Sequence, residues 1–222
     1  MQWELDHVFL ACPDVESVAA MLSGFGLSFT QQRLHQGQGT ANVCAVFENA
    51  FFELLFPVDS SALQSQIVKP LGLMQRIYWQ ETGACPFGIC YRPVALLRKN
   101  SVLPFQTWSY TPEYLTDGAS IPIVTPRDSC HEPLVFLSAR AGSKADKTGS
   151  TPEHRGASRT LTQISIQYPG GLLPSSYVAW FVQNGLLSLE PGPGYHLDLI
   201  WDNGVTGKRR DFGPQLPLTI RW

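Results

Sequence analysis

Phe47 to Phe56 reads FENAFFELLF and puts one carboxylate, Glu53, inside the most apolar run of the chain. Side chains alternate along a strand, so Phe51, Glu53 and Leu55 share one face and Phe52, Leu54 and Phe56 the other. The second face is wholly apolar and suits packing on a helix, which turns Glu53 toward the open side of the sheet. In the first apolar run, WELDHVFLA, the same alternation groups Leu5, His7 and Phe9 against Asp6, Val8 and Leu10. His7 and Glu53 can therefore look into one cavity. A carboxylate among apolar side chains suits general-base work, and imidazole with carboxylate suits a divalent metal. The same alternation also describes two solvent-facing polar residues on a half-exposed sheet, since charged side chains are seldom buried without a partner. Between the two runs, His35 to Asn42 reads HQGQGTAN, in which Gly37 and Gly39 let the backbone turn tightly. Taken alone, that stretch is a hairpin turn with a strand-end histidine.

The elements that must position these residues follow a legible order. Trp3 to Ala11 is strand-like, and Asp14 can cap a helix over VESVAAMLSGFG, with Val15, Val18, Ala19 and Leu22 at helical spacing. Gly24 and Gly26 close that helix. LSFTQQRLH, TANVCAVFE and FFELLFP then read as three strands, completing a β-α-β-β-β unit over residues 1–58. Residues 59–84 read as a connector. The order recurs over 85–140, with a short helix-prone VALLRKN, and again over 160–222. Residues 141–159 lie in a Gly-, Ser- and Lys-rich stretch expected to be a mobile loop. The expected fold class is α+β, with tandem β-α-β-β-β modules.

The first unit resembles the glyoxalase-like branch of the vicinal oxygen chelate superfamily, through LDHVFLACPDVESVAAML and HQGQGTANVCAVFENAFFELL. The resemblance is close over residues 3–57 and elsewhere extends to element order. It implies paired modules whose curled mixed sheets surround a central cavity. It also implies a divalent metal (zinc, manganese, nickel or iron) held by His7 and Glu53, which would carry lyase, isomerase or dioxygenase chemistry. In that picture Glu53 and His35 are catalytic, Gly39, Thr40, Asn42 and His154 bind substrate, and His154 belongs to an HRGAS loop. A complete metal site takes ligands from a second module. There the corresponding segments offer no His or Glu, while Gln163 and Thr219 stand in the third unit where His7 and Glu53 stand in the first. His35, His131 and His154 remain as reserve ligands. The alternative within the same superfamily is a metal-free binder of antibiotic-type small molecules.

Composition narrows the classes. Charged residues are 15% of the 222, the net charge is −2, and the only basic run is Lys208-Arg209-Arg210. A nucleic-acid partner is disfavoured, since tracking phosphates takes clustered cations. No apolar run approaches the roughly 20 residues that span a bilayer, and no signal peptide is evident, so the expected setting is cytoplasmic, without a membrane partner. Low charge fits a homodimer. The five cysteines read as buried reduced thiols. No G-x-S-x-G, phosphate loop or dinucleotide fingerprint occurs. Most aromatics belong to a core, and a few lining the cavity would suit a flat or apolar small-molecule ligand.

Overall fold

The computed structural model describes residues 3–94, 103–115, 118–138, 160–172 and 175–222. The helix-prone run after Pro93 and the 141–159 stretch with His154 lie outside the described residues. β1 (Trp3–Ala11) leads to α1 (Val15–Phe25), then to β2 (Arg33–His35), β3 (Thr40–Val46) and β4 (Phe51–Pro57). α1 starts where Asp14 Oδ1 accepts the Ser17 N–H at 3.1 Å, and stops at Gly26, whose positive φ returns its N–H to the Leu22 and Ser23 carbonyls. Three short helices follow, α2 (Ser60–Leu63), α3 (Leu73–Ile77) and α4 (Trp79–Thr82). Then come β5 (Phe87–Pro93), β6 (Trp108–Tyr110), β7 (Ile121–Ile123) and β8 (Leu134–Leu137).

These eight strands form one mixed sheet in the order β2-β3-β4-β1-β5-β8-β7-β6. β1 runs parallel to β4 and antiparallel to β5, and β5 runs parallel to β8. Each half of the sheet therefore sets its first strand beside its last, and the two first strands meet in the middle. The class is α+β, as expected.

One sequence expectation is corrected at β1. Leu5 pairs with Tyr91 and His7 with Cys90, so Asp6 is an extra residue, a bulge. The bulge shifts the alternation by one. Trp3 and Leu5 join Val8 and Leu10 on the core side, and His7 and Phe9 face the other way without Leu5.

The remaining elements are β9 (Leu161–Pro169), α5 (Ser176–Gln183), β10 (Ser188–Gly192), β11 (His196–Trp201), β12 (Arg209–Asp211) and β13 (Leu218–Arg221). They form a second sheet ordered β10-β9-β11-β13-β12. Here the strand after the helix, β10, pairs directly with β9, whereas β2 lies at the far edge from β1. β11 stands between β9 and β13, which separates Gln163 from Thr219. Gln163 is exposed, and the buried Thr219 hydroxyl is 2.8 Å from His196 Nε2. Gln163 and Thr219, which hold the places of His7 and Glu53 in element order, therefore do not meet across the sheet.

One core joins these parts. Val8, Leu10, Phe52, Leu54 and Ile89 from the first sheet meet Leu22 of α1, Phe181 of α5, and Ile166, Leu199 and Ile220 of the second sheet. Each such side chain contributes about 1.5–3 kcal/mol by leaving water. Packing on this side leaves the opposite face of the first sheet to enclose the cavity.

Candidate functional site

Glu53 comes from β4, directly opposite Phe9 on β1 and Cys44 on β3. It is 5% exposed and accepts no hydrogen bond among the described residues; its Oε2 lies 3.6 Å from His7 Nε2. The His7 ring is held on three sides. Its Nδ1 is 2.7 Å from Asp6 Oδ1, Phe51 stacks on it at 4.2 Å, and Phe136 meets it edge-on at 5.3 Å. Asp6 reaches the ring because the bulge turns it there, and the Arg92 guanidinium, which also pairs with Glu4, holds it from behind at 3.3 Å. Burial pushes the Asp6 carboxyl up, but the His7 ring and Arg92 together hold it below the ordinary value. An ionised Asp6 only accepts, so His7 Nδ1 donates to it, and Nε2 is the ring nitrogen turned toward Glu53.

A second polar group lies across the cavity. Gln38 Nε2 donates to Thr40 Oγ1 at 2.7 Å and reaches His35 Nδ1 at 3.3 Å, and Thr40 Oγ1 is 2.9 Å from the same nitrogen. Gln38 Oε1 accepts the hydroxyls of Tyr110 at 3.0 Å and Tyr114 at 3.2 Å. With its hydroxyl oxygen accepting from Gln38, Thr40 donates to His35 Nδ1, which leaves the His35 proton on Nε2. Burial pushes the His35 ring down in pKa, outweighing the upward pull of Glu53, and keeps it neutral. His35 thus turns an Nε2–H to the cavity, while His7 donates through Nδ1 to Asp6 and turns Nε2 toward Glu53.

Between these groups lies a cavity of about 100 Å³. Its polar lining is His7, Glu53, His35, Gln38, Tyr110 and Tyr114, and its apolar lining includes Phe9, Leu55, Leu71, Leu73, Leu134 and Phe136. Among the residues expected from sequence, His7, Glu53 and His35 come together here. Thr40 supports His35 from behind. Asn42 is buried on β3 opposite Leu55 but does not line the cavity. Gly39 plays a packing part: its φ is +81°, and a Cβ there would meet the Asp59 carbonyl at 2.3 Å. His131 is exposed. Sequence reasoning missed Asp6, Gln38, Tyr110, Tyr114 and Phe136. Gln38 lay in plain view inside HQGQGTAN, as a polar residue between two glycines that fold its side chain back over His35.

Whether these residues suit a divalent ion turns on the donor set. His7 Nε2 and Glu53 Oε2 are spaced as two ligands of one ion can be, at about 2.0–2.2 Å each, and the Asp6 bond orients His7 as metal-binding histidines are oriented. On the other half of the sheet, β5 presents Gly88 and Cys90, and β8 presents Leu134 and Phe136. The space over Gly88 is taken by the Phe9 ring, 2.0 Å from where a Cβ would stand. Asp6, His7 and Cys90 do bring ligand-type atoms within 4.8 Å of one another. Asp6, however, is committed to Arg92 and His7, and burial raises the Cys90 thiol well above its ordinary pKa. An ion held from both halves of the sheet does not fit these side chains.

Residues 5–109 match the glyoxalase-like domain family. No curated protein matches the chain in sequence. Among solved structures, a hypothetical protein from Staphylococcus aureus aligns over 99% of this chain and 98% of its own, at 12% identity and a TM-score of 0.59, a likeness of fold. A methylmalonyl-CoA epimerase in complex with methylmalonyl-CoA and NH4+ aligns over 62% of this chain and 94% of its own, at 16% identity and a TM-score of 0.41. The Streptomyces coelicolor methylmalonyl-CoA epimerase in complex with 2-nitronate-propionyl-CoA aligns over 63% and 97%, at 17% identity and 0.41. No helix among the described residues is long and apolar enough to cross a membrane.

Proposed function

From a glyoxalase-like domain of the vicinal oxygen chelate superfamily over residues 5–109, we propose that this chain binds a small molecule in the sheet cavity and moves a proton on it. The observation that carries the reading is Glu53, a cavity-lining carboxylate that is 5% exposed, accepts no hydrogen bond among the described residues and lies 3.6 Å from His7 Nε2. A carboxylate facing a cavity with no donor already on it is placed to accept a proton from a bound ligand. In an enolisation-type step, Glu53 accepts a proton from the carbon next to a ligand carbonyl, and the electron pair moves onto the carbonyl oxygen. The His35 Nε2–H donates a hydrogen bond to that oxygen. Return of the proton from Glu53 to the same carbon regenerates the ketone with that hydrogen exchanged. Where that carbon bears a hydroxyl, passing the hydroxyl proton to the enolate oxygen lets the carbon-bound proton return to the former carbonyl carbon, an isomerisation with no oxidant or reductant. His7 lies beside Glu53, its ring oriented by Asp6. This makes the chain an isomerase- or lyase-type enzyme, and no step runs through a metal.

Proton NMR in deuterium oxide tests this. A panel of small ketones and hydroxyketones is incubated with the wild type, Glu53→Gln and His35→Ala. The expected result is exchange of carbon-bound hydrogen for deuterium in at least one ketone, slowed about 100-fold or more in Glu53→Gln. Exchange at the buffer rate across the panel, or an unchanged rate in Glu53→Gln, overturns the reading.

A second reading keeps the binding and drops the chemistry, as a metal-free small-molecule binder. It is favoured by β5 and β8, where Cys90 is the one ligand-type side chain on the cavity half of the strands and its thiol is held protonated by burial. The same panel separates the two, since a binder perturbs ligand signals without exchange.

A further inference from the structure

Charge is distributed unevenly around the cavity. Among the described residues, Glu53 is its one acidic lining group, and neither Lys nor Arg lines it. A second, outer cleft of about 330 Å³ shares Tyr110 as a wall and is lined by Asp59 and Glu113, again without a Lys or Arg. Tyr110 and Tyr114 face the inner cavity with their hydroxyls tied to Gln38, and Phe136 offers a third aromatic ring. Arg33 lies nearby on β2 but is exposed and outside both linings.

We infer that the cavity selects a small amine with an apolar body, its ammonium group paired with Glu53. Glu53 is 5% exposed, accepts no hydrogen bond among the described residues and meets the His7 ring only at 3.6 Å, so its oxygens keep room for a closer donor. An ammonium supplies the opposite charge and three donors at once. The aromatic lining adds cation–π attraction, strongest where water is excluded. One carboxylate oxygen takes the ammonium, and the other stays beside His7. An anionic ligand, such as a carboxylate or a phosphate ester, meets Glu53 with like charge and finds no lining cation to offset it. Burial holds both tyrosines in their neutral form and His35 in its own, so none of these alters the sign of the cavity. The inference rests on reading the cavity as the ligand site and is independent of turnover.

The test is calorimetric titration near neutral pH and physiological ionic strength, with three probes sharing one apolar body: 3-methylbutylamine, 3-methylbutan-1-ol and 3-methylbutanoate. The amine is expected to bind about tenfold or more tighter than the other two. In Glu53→Gln that advantage collapses to about threefold or less while alcohol binding is kept, and Glu53→Leu serves as a second variant with the same expectation. Equal or tighter binding of the carboxylate overturns the inference, as does no heat from any probe or an amine preference that survives both variants. A preference lost in Glu113→Gln but kept in Glu53→Gln moves the recognition to the outer cleft and overturns it too. Amine preference without hydrogen exchange leaves this inference standing and removes the catalytic reading; exchange without amine preference does the reverse.

Discussion

Replacing Glu53 with Leu should make the protein more stable, contrary to the usual cost of core substitution. Glu53 is 5% exposed, is surrounded by Phe9, Leu55 and the His7 ring, and makes no hydrogen bond among the described residues. Full desolvation of such a group costs about 1–3 kcal/mol, and Glu53, whose oxygens line the cavity rather than being sealed from it, sits at the low end. Leu is shorter by one atom but branched, and its methyl groups meet the apolar wall that the carboxylate now meets unfavourably. Against this stands the attraction to His7 across 3.6 Å, which matters only when the ring is protonated. At mildly alkaline pH the net gain should be about 1 kcal/mol, or about 2–4 °C in Tm for a domain of this size. Urea unfolding followed by tryptophan fluorescence reads it directly, with the midpoint rising and the slope unchanged. A Leu variant less stable than wild type by about 1 kcal/mol or more would refute the reasoning, because Glu53 would then have a structural partner. The expected pattern, more stable and inactive, marks a group kept for chemistry.

Three further outcomes follow from other parts of the fold. Arg76 is fully buried, and its guanidinium donates to the carbonyls of Leu71, Cys85, Ser129 and Glu132, so Arg76→Met should cost about 3–5 kcal/mol by leaving those acceptors bare, read as a fall in urea midpoint. His35 has its folded-state pKa pushed below the ordinary value by burial, so the unfolded chain binds more protons there, and stability present above about pH 6.5 is lost as the pH falls below it. His35→Gln should flatten the Tm profile over that window, and an identical profile would show that the ring titrates elsewhere. Zinc, manganese, nickel or iron added in excess should raise Tm by less than about 1 °C, since two donors from one half of the sheet hold an ion weakly. A stoichiometric ion retained through gel filtration would contradict that account.

Much of the site was legible because strand alternation is a strong constraint. Glu53 within FFELLF and His7 within WELDHVFLA both point to the face that the structure opens to a cavity. The bulge was not legible in that way. One extra residue leaves composition untouched, and its only trace is the adjacent polar pair Asp6-His7 in a strand run. That residue nonetheless orients the His7 ring. Arg76 sat in LGLMQRIYW as Glu53 sat in FFELLF, a charge within an apolar run, and the same question asked of it would have found the clamp. Gln163 and Thr219 correspond to His7 and Glu53 by element order, but whether such residues meet depends on strand pairing, which element order leaves open, and here β11 lies between β9 and β13. Tyr110 and Tyr114 reach Gln38 from a separate part of the chain, a distance in sequence that no local pattern spans.

The Phe9 ring lying over Gly88 also constrains how this protein could change. A histidine introduced at position 88 would meet the ring at once, and shrinking Phe9 alone would open a void beneath His7. Each single step is a loss, of overlap in one order and of packing in the other. Only the pair together would project a nitrogen from the second half of the sheet toward Glu53. The two positions are thus epistatically locked, and a lineage holding this pair of residues can exchange amine-type recognition for an ion-centred site only by crossing a less stable intermediate.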